Sequence, residues 1–365
     1  MWSKLKNLSV IAASILVGFL IFEAIFGGWF TSDPWFQATS MNILRNVNIT
    51  YKVDTLGIEQ AISDYKRDQY GLRGTCTNKN LATMITIGGS TTDQRYTAEG
   101  ATWQDVLQKN IQETLSLPKF CIANAGVDGH STFGHLASFD IWFRNIPSFK
   151  PEFLLFYVGI NDAAFRFEKA FNDQNIQFRS YRNSVLYRIY KIFDTQRISD
   201  SQPQFAGHRL IIKNPVLYSE TKLTENAEIL ALQNAFDFRL RMSEILRRTV
   251  ALGAKPICVS QPHALSWNFG GQEKGVRNAF FYKNNYYNGL DYNFSLSLIN
   301  QAMAELCVQY GGFYLNLRDK KFSLLDFYDY VHTTPQGAKK IADYLMQEIN
   351  AQKILEFYKL KMNGS

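Results

Sequence analysis

The stretch TMITIGGSTTDQRY, residues 83–96, runs from a short apolar segment through two glycines to Ser90 and two threonines. Met84, Ile85 and Ile87 leave little polar surface, as expected of a strand covered on both faces. Gly88 and Gly89 end it abruptly. Glycine permits tight turns and close approaches that a β-carbon blocks. A buried strand that delivers a hydroxyl through such an exit suits a parallel sheet, where functional groups collect at the carboxyl ends of strands.

The chain downstream repeats the pattern. KFCIANAG (119–126), EFLLFYVGIND (152–162), AKPICVSQP (254–262) and GFYLNL (312–317) read as four further strands. Helical segments fall between them. ATWQDVLQKNIQ (101–112) sets Trp103, Val106, Leu107 and Ile111 on one face. HLASFDIWFRNI (135–146), residues 225–253 and SLINQAMAELCVQYG continue the alternation. In TTPQGAKKIADYLMQEI, Thr334 caps a last helix with Pro335 at its first position, and Ile341, Leu345 and Ile349 mark its buried face. This order predicts a three-layer α/β/α sandwich on a mainly parallel five-stranded sheet. It is interrupted by insertions at about 163–225 and 263–295, each too long for a simple βα loop. Neither a G-x-G-x-x-G fingerprint nor a P-loop is present, which argues against a nucleotide fold.

Residues 31–80 read as a lead-in with few periodic segments, 81–355 as the α/β domain and 356–365 as a tail. Before them, residues 8–30 are apolar with a single charge, Glu23, and follow Lys4 and Lys6. At 1.5 Å per residue such a helix crosses a bilayer core of about 30 Å. The basic leading side keeps residues 1–7 cytoplasmic and sends the rest out. The expectation is a single-pass signal anchor in the inner or plasma membrane with an extracytoplasmic domain. A cleaved signal peptide is the second reading. Hydrophobic residues make up 46% and charged residues 19%, enough for a large core and too apolar for a disordered chain. The net charge of +7 is scattered, with no nucleic-acid motif, and suits a surface near anionic lipid or polysaccharide. Of the four cysteines, Cys258 and Cys307 read as core thiols, and a Cys76–Cys121 bridge is open. No cysteine or histidine spacing suggests a metal, and no cofactor is expected.

The strand exits offer Ser90, then Asn124 to Gly126, then Gly159, Asn161 and Asp162; Asp329 and His332 precede the last helix. A serine needs a base to become a nucleophile. His332 supplies one, and Asp329 can orient it from three residues away. The N–H groups of Ser90 and Gly126 and the amide of Asn161 are the candidate donors to an oxyanion. Asp162 receives no catalytic role. Arg73 in YGLRG, His263, Arg166 and Tyr287 are candidate substrate contacts. Each has an alternative: Arg73 can instead brace the Ser90 loop or form a surface salt bridge, and the others can be loop or lid packing.

Gly88-Gly89-Ser90-Thr91, Gly126, Gly159-Ile160-Asn161-Asp162 and Asp329-Tyr330-Val331-His332 together resemble the SGNH/GDSL hydrolases, in membrane-anchored bacterial form, over about residues 82–350. The resemblance implies a flavodoxin-like hydrolase fold, Ser90, His332 and Asp329 as catalytic triad, and Ser90, Gly126 and Asn161 around the oxyanion. Gly-Gly-Ser replaces the usual Gly-Asp-Ser, at a position that is not the triad acid. The implied activity is a serine esterase removing O-acyl groups, most plausibly acetyl, from a cell-surface glycan or lipid-linked saccharide. A glycan O-acyltransferase using the same site, beside a multi-pass membrane acyltransferase, is the first alternative. A non-catalytic assembly subunit of an envelope complex is the second.

Overall fold

The computed structural model describes residues 2–29, 35, 41–53, 56, 62–165, 173, 184–187, 189–190, 211 and 216–363. The chain divides into two units, Met1–Met41 with Asn175–His208, and Asn42–Gln174 with Arg209–Ser365.

In the first unit, α1 (Trp2–Phe26) carries the apolar run. Its Ser9–Phe26 stretch has a mean hydropathy of 2.3, long and apolar enough to cross a membrane. Glu23 does not stand alone on it. Its carboxylate accepts hydrogen bonds from Trp29 Nε1 (3.0 Å), Ser184 Oγ (2.7 Å) and the backbone N–H groups of Val185 (3.1 Å) and Leu186 (3.2 Å).

The second unit opens with a hairpin where the sequence reading saw only a lead-in. β1 (Val47–Lys52) and β2 (Ile62–Arg67) pair antiparallel. Ser63, Tyr65 and Arg67 point inward from β2. Two of these three are polar, so the two-residue period carries no apolar alternation to reveal it. Next come β3 (Met84–Gly88), α2 (one turn, Ser90–Asp93), α3 (Trp103–Thr114), β4 (Ile122–Gly126), α4 (Thr132–Ile141), β5 (Phe153–Tyr157) and the single turn α5 (Ile160–Ala163). After β6 (Tyr218–Glu220) come α6 (Ala227–Ala251) and β7 (Lys255–Val259). The second insertion consists of β8 (Ser266–Phe269) hairpinned to β9 (Gln272–Val276), and β10 (Phe280–Tyr282) hairpinned to β11 (Asn285–Tyr287). It ends earlier than its apolar pattern suggested. Asn288 and Asp291 form a capping box that starts α7 (Gly289–Gln309) within the expected insertion. β12 (Phe313–Leu315), α8 (Pro335–Ala351) and α9 (Glu356–Asn363) complete the chain. The last of these occupies the expected tail, and Tyr358 packs into the core.

Five strands form one parallel sheet in the order β12-β7-β5-β3-β4. All five residues of β3, β4 and β5 are buried, as two covered faces require. One face carries α3 and α8, whose Trp103, Leu107, Ile111, Ile341, Leu345 and Ile349 meet Met84, Phe153, Leu155 and Ile257. Burying each such side chain contributes about 1.5–3 kcal/mol. α6 and α7 pack along each other on the other side, with α4 against α6 and α7 against β7 and β12. This is the expected three-layer, flavodoxin-like sandwich. Successive strands are laid down on opposite sides of β3, first β4 and then β5. The crevice outside the carboxyl ends of β3 and β5 is therefore the topological switch point, where open α/β sheets bind ligands.

Two disulfides cross the unit, Cys76–Cys121 and Cys258–Cys307. The second corrects the reading of Cys258 and Cys307 as separate core thiols. Cys258 lies on β7 and Cys307 on α7, the helix packed against that strand, so both face the same layer boundary.

Candidate active site

Gly88 and Gly89 are small for different reasons. A β-carbon on Gly88 would stand 2.0 Å from Thr92 Oγ1 and 2.3 Å from Tyr157 O. One on Gly89 would stand 2.7 Å from Asn161 Nδ2 and 3.0 Å from His130 O. The two glycines let the chain turn hard against β5 and leave room for the Asn161 amide next to Gly89. Ser90 is the first residue of α2, and Gln94 closes that turn in the left-handed region at φ 48°. The turn is fastened from several sides. Thr91 Oγ1 donates to Gln261 Oε1 (2.8 Å), and Thr92 O accepts from Gln104 Nε2 (2.9 Å) and Asn124 Nδ2 (2.6 Å).

A buried ionic network lies beneath it. Arg67 Nη2 donates to Asp93 Oδ1 at 2.6 Å and also to Gly126 O, and its Nη1 donates to Gly71 O. Tyr65 OH donates to the same Asp93 oxygen at 2.9 Å. Burial alone would raise the Asp93 carboxyl, but Arg67, Arg95 and Arg73 outweigh it and hold it below the usual carboxylate range. Burial pushes the Tyr65 phenol up to about 12, so it stays a donor.

The opposite wall comes from the loop before α8. Phe327 bridges Thr333, and Tyr328 N donates to His332 O, closing a tight hairpin around Asp329 and His332. Asp329 Oδ1 accepts from the N–H groups of Val331 (2.9 Å) and His332 (2.7 Å). Its Oδ2 lies 2.7 Å from His332 Nδ1, and His332 Nε2 lies 2.7 Å from Ser90 Oγ. A carboxylate can only accept, so the imidazole proton sits on Nδ1 and Nε2 faces the serine hydroxyl as acceptor. The Tyr328 ring lies parallel to the imidazole, 5.6 Å between centroids, and fixes its plane. Ser90 at the start of α2 meets His332 and Asp329 of the pre-α8 loop at the switch point, with Asn161 of α5 next to Gly89.

The chain resembles the SGNH/GDSL hydrolases.

Around this site the remaining sequence candidates fall differently. Gly126 does not face Ser90. Its N–H donates to Asn124 Oδ1 (2.8 Å), and a β-carbon there would meet the Asp93 N at 2.3 Å, so it seats α2 from below. The next glycine, Gly129, turns the following loop at φ 81°. That loop touches the site directly, because His130 O accepts from Asn161 Nδ2 at 2.8 Å. The sequence signal was a second glycine three residues on, in the turn rather than on the strand. Arg73 is not a substrate contact. It is fully buried and donates to Asp93 O, Gln94 O, Thr97 O and Glu99, bracing the chain that leaves α2. Tyr287 is not one either, being buried and stacked on Phe165 (4.9 Å) in a small core with Ala227 and Ala231 of α6. His263 is buried with both ring nitrogens engaged. Nδ1 accepts from Leu265 N (3.1 Å), and Nε2 pairs with Asn293 Oδ1 (3.1 Å). Arg166 lies outside the described residues. Asp162 accepts from Thr132 and Arg241, and burial raises its carboxyl above the usual range; it ties α4, α5 and α6 together.

No family model matches the chain, and no curated protein does. Solved structures similar to it include an α/β hydrolase enzyme from the metagenome of Lake Arreo, Spain. That protein shares 12% identity over 74% of this chain and 98% of its own, with a TM-score of 0.41. A catalytic mutant of an acetylxylan esterase from Geobacillus stearothermophilus shares 10% over 74% and 94%, with a TM-score of 0.43. The lipase/acylhydrolase from Enterococcus faecalis shares 12% over 74% and 97%, with a TM-score of 0.41.

Proposed function

We propose that the protein is a membrane-tethered serine esterase that removes O-acyl groups, acetyl being the simplest, from a cell-surface or lipid-linked saccharide. The observation that carries this reading is the continuous relay Ser90 Oγ–His332 Nε2–Nδ1–Asp329 Oδ2, with both contacts at 2.7 Å. Ser90 Oγ attacks the ester carbonyl while His332 Nε2 takes its proton, and Asp329 stabilises the imidazolium. The negative oxygen is held by the Ser90 N–H at the start of α2 and the Asn161 amide. The Gly129 N–H replaces Gly126 as the third donor. His332 then protonates the departing sugar alkoxide. Water, losing its proton to the same nitrogen, releases the acyl group from Ser90. α1 would hold this site at an extracytoplasmic membrane surface, where acylated envelope saccharides lie within reach.

Labelling with a fluorophosphonate and turnover of acetylated oligosaccharides test the reading together. The wild type is expected to label at Ser90 and to release acetate. Ser90→Ala should fold normally, take no label and lose turnover by on the order of 10⁴-fold or more. Folded wild type that neither labels nor cleaves any acyl ester would refute the esterase. Acetyl appearing on an added acceptor sugar faster than in water would make it a transferase with the same acyl-enzyme.

A further inference from the structure

A second recess lies at the same carboxyl end of the sheet, beyond β7 and β12. It is a cavity of ≈ 410 Å³ whose walls include His263, Trp267, Asn268, Arg318, Lys321 and Phe322. Its connection to the reacting groups is short. The segment Gln261–Ala264 binds Thr91, next to Ser90, through Gln261, and binds Tyr330, two residues before His332, through the Ala264 N–H (2.7 Å). His263, midway along that segment, lines the cavity. One segment of chain therefore borders both the recess and the loops that carry Ser90 and His332.

The lining chemistry defines what fits. Three cations, Arg318, Lys320 and Lys321, stand against a single lining carboxylate, Glu273. Glu273 Oε1 already accepts from Ser266 Oγ (2.7 Å) and Asn293 Nδ2 (2.8 Å). Lys320 pairs with Glu348 at 2.7 Å, and Arg318 Nη2 donates to Asn293 Oδ1 at 2.7 Å. Lys321 is exposed and has no carboxylate partner among the described residues. His263, held down to about 4 by burial and by Arg318, is neutral near pH 7 and adds no charge. The half-buried Trp267 supplies an aromatic ring to the lining, Phe322 adds apolar surface while packing on Phe327 and Tyr344, and Asn268 supplies an amide. An aromatic platform beside a guanidinium and the exposed Lys321 ammonium suits a ring with an apolar face and a negative substituent.

We propose that this cavity is a subsite for an anionic sugar unit of the acylated glycan. The pyranose ring lies on Trp267, and its carboxylate, or an equivalent acidic group, points to Arg318 and Lys321. This deepens the esterase reading and rests on it for the role of the neighbouring Ser90. It makes the substrate an acidic polysaccharide, and places the acylated residue within one or a few units of a uronate-like neighbour.

The test is calorimetric titration of the full-length protein in detergent with tetragalacturonate, with maltotetraose as the neutral tetrasaccharide, and with inorganic sulfate. Tetragalacturonate is expected to bind about tenfold tighter than maltotetraose at low salt. Lys321→Gln, a change at an exposed position, should abolish most of that preference without weakening maltotetraose. Trp267→Ala should weaken both saccharides. Equal affinity for the two tetrasaccharides overturns the proposal. So does a uronate preference indifferent to Lys321→Gln, or sulfate binding as tightly as the uronate. Fluorophosphonate labelling of the same preparations keeps the two readings apart. A labelled protein without uronate preference overturns the subsite alone, and an unlabelled one with that preference overturns the esterase alone.

Discussion

At the scale of single residues, the site depends on where one proton sits. Asp329 spends one oxygen on two backbone N–H groups and the other on His332 Nδ1, so replacing it by Asn keeps the loop's acceptor and removes the reason for the tautomer. Asp329→Asn should keep the fold and lower kcat on an aryl acetate by on the order of 10⁴. A loss below tenfold in steady-state kinetics would argue against the relay. His263 makes a different prediction. Its folded value of about 4 lies below its ordinary 6.5, because burial and Arg318 disfavour the imidazolium. Between those values the unfolded chain binds a proton that the folded chain refuses. Stability therefore falls as pH drops from 6.5 to 4, by up to about 3 kcal/mol. Urea unfolding at pH 7 and 4.5 should show a smaller pH difference in His263→Gln. At this scale the sequence was legible for Ser90, Asn161, Asp329 and His332, which stand at strand exits or in one tight loop. It misled at Gly126, whose N–H is already taken by Asn124 Oδ1. For Arg73 it left a brace and a substrate contact open, because an arginine that binds backbone carbonyls looks, in sequence, like one that binds a substrate; the packing selects the brace.

Elements were legible in proportion to their apolar periodicity. The five sheet strands and the helices α3, α6 and α8 announce themselves by buried runs or 3.6-residue stripes. β1 and β2 did not, because what β2 turns inward is Tyr65 and Arg67 bound to Asp93, and polar groups satisfied by a distant partner carry no local signal. That pairing gives α2 its floor. Arg67 and Asp93 are each only 2% exposed at the side chain, so removing one leaves the other charged and buried. Arg67→Met should cost about 3–5 kcal/mol by denaturant titration. Adding Asp93→Asn to it should cost less than the two single losses summed, because the stranded charge is gone. Strict additivity would show that the pair is not coupled.

For the whole molecule, the two disulfides close loops with sequence separations of 45 and 49 residues. In the chain-entropy picture each contributes about 4 kcal/mol by constraining the unfolded chain. Replacing Cys76 and Cys121 together by Ser should therefore lower the thermal midpoint by several degrees in a calorimetric scan, and an unchanged midpoint would speak against that bridge. The pairing of Cys258 with Cys307 was hidden in sequence because apolar neighbours on a strand and a helix describe a core thiol equally well. Only the packing of α7 on β7 brings the two together.

The leading helix is more than a detachable handle. Glu23, three residues from the end of α1, is the acceptor for Ser184, Val185 and Leu186, more than 160 residues downstream. A shortened chain that begins after Phe26 would strip those donors of their common acceptor. The truncated product would then differ from the full chain far from the cut, in the segment that returns to α1.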